Sequence, residues 1–245
     1  MQNPNDINRV RLKAVARALG GLEQPIVFVG GATVSLYGQP GLSTESRPTD
    51  DVDVLVELAS YGGYGPLSER LLTLGFQPDI MSGVICRYRV QGILVDVMPT
   101  EPSVLGFSNL WYPEGFRAAF DYPLDEEVTI KLLMVPYFLA TKLEAFADRG
   151  GRDFRQSSDF EDLVYVLDNA PELEFKLREG SADVQSYLRQ TFGTLLAHDD
   201  FEEGIYSHLE PRYASMRTAR IRQILIDFVQ KSDNLMRRTG FDRST

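Results

Sequence analysis

A chain of 245 residues has room for one large domain or two modest ones, and its 43% hydrophobic content is ordinary for a globular protein with a real core. No apolar run of about 18 residues exists, so no membrane span is expected; the single cysteine, Cys86, excludes an internal disulfide, and with only two histidines beside it a Cys/His zinc cluster is excluded as well. The net charge of −10 argues against passive, chain-wide binding to nucleic acid.

The first residues, Met1 to Asp6, are polar and lack the apolar centre of a secretory signal, which with the lone cysteine predicts a reducing cytoplasm. Asn5 to Leu19 has helical spacing: Ile7, Val10, Leu12, Val15, Ala18 and Leu19 form an imperfect apolar face that ends at Gly20-Gly21. Ile26 to Val29 predicts a short apolar strand, Gly30-Gly31 a turn, and Ala32 to Tyr37 a helix stopped by Gly38. Gln39 to Asp50 is a polar loop, Asp51 to Leu58 a second strand, and Pro66 to Leu74 a helix closed by Gly75-Phe76. Ile85 to Val90 and Ile93 to Met98 predict a hairpin turning at Gln91-Gly92. Pro99 to Asp125, which holds Trp111, reads as a loop with a short strand, and Val128 to Met134 as a further strand. Beyond Pro136 the spacing becomes helical, first at Phe138, Leu139, Leu143, Phe146 and Ala147, then at Phe160, Leu163, Val164 and Leu167, and again through Val184 to Leu196 and Met216 to Met236. The predicted class is α+β: a mixed sheet with flanking helices in residues 1–135, then a helical half in 136–245.

Three features of the first half carry chemistry. A strand–Gly-Gly–helix unit lets backbone approach a phosphate closely, although a plain tight turn uses the same pair. No Gly-x-x-x-x-Gly-Lys-Ser/Thr and no Gly-x-Gly-x-x-Gly is present, which excludes a P-loop and a dinucleotide fold. Asp51 and Asp53 flank Val52 in a strand, so both carboxylates project to one face while Val52, Val54 and Val56 face a core. A divalent cation with oxygen ligands explains such a pair, and solvated charges on an edge strand are the alternative. Asp96 sits within the apolar run from Ile93 to Met98, where an unpartnered carboxylate costs several kcal/mol if buried. Its partner is either a cation shared with Asp51 and Asp53 or an arginine of the neighbouring strand, Arg87 or Arg89. Asp50 belongs to the loop or to the opposite face and is given no role.

The order Gly-Gly, loop, Asp-x-Asp and later strand Asp resembles the nucleotidyltransferase superfamily of the polymerase-beta type. Arg47-Pro48-Thr49-Asp50-Asp51-Val52-Asp53 looks like the Arg-x-Ser/Thr-x-Asp-x-Asp variant of AbiEii-type proteins, the toxin halves of type IV toxin–antitoxin systems. The helix from Lys142 to Arg149 looks like that family's Lys-Leu-x-Ala helix, and Asp159 to Leu163 like its Asp-x-x-Asp-Leu helix. The resemblance runs from about Val27 to Leu167. It implies Mg²⁺ or Mn²⁺ on Asp51, Asp53 and Asp96, catalysis by these acids with Lys142, and a nucleotide held by Gly30, Gly31, Thr33, Arg47, Thr49, Asp159 and Asp162. It further implies transfer of a nucleoside monophosphate from NTP to an acceptor hydroxyl, with RNA such as a tRNA 3′ end favoured, and a toxin role with an antitoxin partner. Read as residues alone, Lys142 is either a mobile charge suited to a triphosphate or an exposed helix lysine, and Asp159 and Asp162 either serve the nucleotide or pair with Arg149, Arg152 or Arg155. Two stretches are longer than in that family pattern, Gly150 to Ser158 and Gly31 to Asp51, and both bear on substrate identity more than on metal chemistry.

From Pro211 onward eight basic residues stand against three acidic ones: Arg212, Arg217, Arg220, Arg222, Lys231, Arg237, Arg238 and Arg243 against Asp227, Asp233 and Asp242. This segment either touches RNA or docks on the acidic body. Two other readings stand beside RNA modification: a non-catalytic nucleotide-binding protein that kept the fold, and a transferase acting on a small molecule such as an antibiotic.

Overall fold

A computed structural model describes residues 3–39, 41, 44–58, 61–105, 109–149 and 153–238. Arg152, Asp242 and Arg243, parts of the two long stretches (40, 42–43 and 150–152), and the side chains of Lys231, Asp233, Arg237 and Arg238 lie outside what is described.

Helix α1 (Pro4–Ala18) starts where Asn3 accepts the Asn5 amide at 2.8 Å and proline occupies the first turn. A 3₁₀ turn, Leu19–Gly21, leads to β1 (Ile26–Val29). The helix expected at Ala32 to Tyr37 is a 3₁₀ helix, Gly31–Tyr37, entered through Gly30 at φ +74°. Strand β2 (Asp51–Val56) is followed by α2 (Tyr64–Thr73), β3 (Gln77–Pro78), β4 (Arg87–Val90) and β5 (Ile93–Pro99). The β4–β5 turn has positive φ at both Gln91 and Gly92, the geometry that matches the twist of a tight hairpin. Residues 99–125 hold more than the expected loop and strand: α3 (Pro102–Leu105) and α4 (Tyr112–Arg117) precede β6 (Phe120–Pro123). A six-residue helix carrying Pro113 and Gly115 is too short and too interrupted to show helical spacing. After β7 (Thr129–Leu132) come α5 (Val135–Asp148), α6 (Ser158–Asn169), α7 (Leu173–Lys176), α8 (Ala182–Leu196), α9 (Phe201–Ser207) and α10 (Ala214–Arg238).

The strands form one mixed sheet in the order β3-β4-β5-β2-β1-β7-β6, so the fold is α+β. Strand β2 runs antiparallel to β1 and parallel to β5. Alternation along the central strands gives the sheet two buried faces. Phe28, Val52, Val54, Val56, Val95 and Val97 pack with Leu12 and Val15 of α1 and Leu67 and Leu71 of α2. On the other face Val27, Val29 and Leu55 pack with Phe138, Leu139 and Leu143 of α5 and Phe160, Leu163 and Val164 of α6. That second face is the one on which Asp51 and Asp53 project, so the helical half is brought against the acidic end of the sheet.

The basic C-terminal segment docks on the body. Arg217 and Arg220 each donate to Asp168 of α6 at 2.7 Å, Arg222 pairs with Glu202 of α9, and the Arg212 guanidinium lies 5.2 Å from the Tyr213 ring centre. Among the described residues no helix is long and apolar enough to cross a membrane.

Candidate active site

Register assembles the site. Asp53 lies opposite Val29 of β1 on one side and Asp96 of β5 on the other, and Asp96 lies opposite Arg87 of β4. Residues paired across strands share a face, so this row aims Asp53, Asp96 and Arg87 the same way, with Asp51 two positions along β2. Asp51, Asp53 and Asp96 each offer a carboxylate oxygen, and the three lie within 4.8 Å of one another.

Of the two partners expected for Asp96, the structure shows the arginine, beside the other two acids. Arg87 donates from Nε to Asp96 Oδ1 and from Nη2 to Asp96 Oδ2, each at 2.7 Å, and Nη2 also reaches Asp51 Oδ2 at 3.2 Å. Arg89 points elsewhere, to Asp79.

Gly30 makes the space for Asp53. A Cβ at that position would lie 1.9 Å from Asp53 Oδ2, and φ of +74° already disfavours an L side chain. Gly31 does the same for its neighbours, since a Cβ there would lie 2.4 Å from Arg47 Nη2 and 2.7 Å from the Thr49 methyl. Thr33 is buried and donates its hydroxyl to the Gly30 carbonyl at 2.9 Å, while the buried Thr49 hydroxyl reaches Asn8 Oδ1 at 3.2 Å and the Asp51 carbonyl at 3.3 Å. Both threonines thereby brace the bends that present the acids. Asp50 is exposed.

The remaining expected residues form a second cluster. Lys142 of α5 is buried, with Nζ 2.6 Å from Asp162 and 3.1 Å from Asp159 on α6. Arg47 grips Asp162 with two bonds, 2.8 and 3.0 Å, and Arg149 reaches Asp159 at 2.6 Å. This corrects the picture of Lys142 as a mobile or exposed charge: three-residue spacing turns Asp159 and Asp162 to one side of α6, where they enclose the amine. Burial opposes its charge, but Asp162 and Asp159 outweigh burial and hold its pKa above the ordinary value.

Across the two clusters, Arg87, Arg47, Lys142 and Arg149 serve Asp51, Asp96, Asp162 and Asp159. Asp53 is left over, with no hydrogen-bond donor on its carboxylate among the described residues. Burial, then the charges of Asp51 and Asp96, push its pKa up to about 7, against the lowering pull of Lys142 and Arg87. An under-neutralised carboxylate with two others close beside it fits a small hard cation.

Two groups at the site had little or no sequence signal. Tyr112 of α4 is close enough to Asp53, Asp159, Arg149 and Glu144 to feel their charges, and burial with Asp53 raises its hydroxyl pKa; it lies in the stretch read as loop. Arg87 entered only as one of two ways to satisfy Asp96.

A polar cavity of ≈ 720 Å³ adjoins the second cluster through Arg47 and Asp162. Its lining includes Glu45, Glu161 and Glu210 together with Arg47 and Arg217.

No protein-family model matches the chain, and no curated protein matches it. Among solved structures the chain is similar to an antigenic nucleotidyltransferase-like protein from Paracoccidioides brasiliensis, with a TM-score of 0.48, 18% identity, and coverage of 82% of this chain and 93% of that one. It is also similar to JHP933 from Helicobacter pylori, with a TM-score of 0.49, 10% identity, and coverage of 98% and 100%.

Proposed function

We propose that this chain is a metal-dependent nucleotidyltransferase that moves a nucleoside monophosphate from an NTP to an acceptor hydroxyl and releases pyrophosphate. The observation that carries the reading is the convergence of Asp51, Asp53 and Asp96 within 4.8 Å, with no ion pair on Asp53 among the described residues. Three carboxylates are hard oxygen donors suited to Mg²⁺ or Mn²⁺. A bound cation would neutralise charge on the polyphosphate and polarise the phosphoryl oxygens.

The chain's own groups then divide the work. Asp51, Asp53 and Asp96 would hold the cation. Gly30 leaves room for the Asp53 carboxylate to seat against the bend after β1. Asp96 is placed to take the proton of the attacking hydroxyl once its oxygens are released by Arg87. Lys142 lends a fixed positive field from behind the acids, and Asp159 and Asp162 hold it there. In this reading residues 1–135 carry the catalysis and 136–245 contribute Lys142, Asp159 and Asp162. An RNA acceptor, a toxin role with a paired antitoxin, and a cytoplasmic setting are proposed on the AbiEii resemblance; of the basic residues that favour RNA in the sequence, Arg217, Arg220 and Arg222 are engaged with Asp168 and Glu202.

A second acceptor class, a small molecule such as an antibiotic, is kept beside RNA; the cavity beside Arg47 is lined by both acidic and basic groups, Glu45, Glu161 and Glu210 with Arg47 and Arg217.

Incubation with Mg²⁺, labelled NTPs and either total RNA or a panel of aminoglycosides tests both. Label should move to one acceptor, with transfer lost in Asp53→Asn. Nucleotide binding without transfer to any acceptor would leave a binding protein that kept the fold.

A further inference from the structure

Arg87 sits between two of the three converging carboxylates. Its Nη2 lies 2.7 Å from Asp96 Oδ2 and 3.2 Å from Asp51 Oδ2, so one nitrogen bridges two of the three carboxylates that converge there. Its Nε engages the other oxygen of Asp96. A divalent ion shared by Asp51 and Asp96 needs the space between those same oxygens. Both cannot hold it together, because a guanidinium and a metal ion repel at that range. The Arg87 side chain reaches solvent, at 23% exposure, and its ion-pair partners among the described residues are these carboxylates.

We infer that Arg87 is a resident stand-in for the metal, which yields Asp96 and Asp51 when the cation enters and transfers its planar fork to the polyphosphate that arrives with it. The inference rests on the nucleotidyltransferase reading. A guanidinium bonds phosphate oxygens in the same two-pronged way as a carboxylate, so the exchange replaces one charge-assisted pair by another. Because β4 is fixed by its pairing with β5, the displaced group remains beside the site. Without nucleotide, Arg87 competes with the cation; with nucleotide, it supports binding. Metal and NTP should therefore bind cooperatively, with Arg87 as the link.

Titration of Mn²⁺ by electron paramagnetic resonance, with and without α,β-methylene-ATP, reads this directly. Free Arg87→Gln is expected to bind Mn²⁺ about tenfold tighter than the natural chain, the scale of one charge-assisted hydrogen-bonded pair. In the natural chain the nucleotide should tighten Mn²⁺ binding more than it does in Arg87→Gln, where only direct ligation by the phosphates remains. Arg87→Lys, which cannot bond both oxygens of Asp96, should fall between them and carries the test if the glutamine variant does not fold. Mn²⁺ binding that is unchanged or weaker in these variants, but still lost in Asp53→Asn, would overturn the inference and leave the metal site standing. Mn²⁺ binding indifferent to Asp53 would overturn both.

Discussion

Asp53 sets the protein's expected response to pH. Its folded-state pKa, about 7, lies above the ordinary carboxylate value of 3.8 because of burial and of Asp51 and Asp96. Between those two values the folded state binds more protons than the unfolded chain, so this residue makes stability fall as pH rises through the window. Asp53→Asn removes the penalty. Its melting temperature should exceed that of the natural chain at about pH 7.5 and approach it at about pH 4.5. Saturating Mn²⁺ should erase the advantage by stabilising only the natural chain. A variant no more stable than the natural chain at the higher pH would show that Asp53 already has a counter-charge.

At the scale of elements, Lys142 joins α5 to α6 and, through Asp162 and Arg47, to the loop that leads into β2. Lys142→Met keeps the volume and removes the charge, leaving Asp159 and Asp162 under-compensated in a buried place. The expected cost is about 3–5 kcal/mol, the range for breaking one partner of a buried ion pair. Urea denaturation measures it, and an unchanged midpoint would mean that the arginines alone satisfy the two aspartates. The elements also show what sequence can reveal. Strands and long helices were readable because alternation in Asp51–Val56 and 3.6-residue spacing in Ser158–Asn169 each reflect a buried face. The shared face of Asp51 and Asp53 was readable from alternation along one strand, but in the sequence the meeting with Asp96 stays open against an arginine partner, because the adjacency of β2 and β5 depends on strand order. Helix α4 was not readable, since six residues around Pro113 and Gly115 have no period, and Tyr112 was hidden with it. The burial of Lys142 was not readable either, because it depends on how two helices pack and not on either helix alone.

Over the whole molecule, an acidic body carries its basic C-terminal helix as an internal partner. Asp168, almost fully buried, receives Arg217 and Arg220 and anchors α10 to α6. Asp168→Asn should lower stability by about 2–4 kcal/mol by leaving two guanidinium groups without their shared counter-charge. Calorimetry would show the loss, and a melting temperature equal to that of the natural chain would mean that apolar packing of Ile221, Leu225 and Phe228 holds the helix unaided. The pairing of Asp53 with Asp96 has a consequence for how the protein is handled. If β2 and β5 zipped together one residue out of step, every side chain of β5 would exchange sides, and Asp96 would be driven in among Val52, Val54 and Val56. A misassembled sheet therefore cannot bring the three acids together, and material recovered from inclusion bodies can be sorted from native protein by whether it captures manganese.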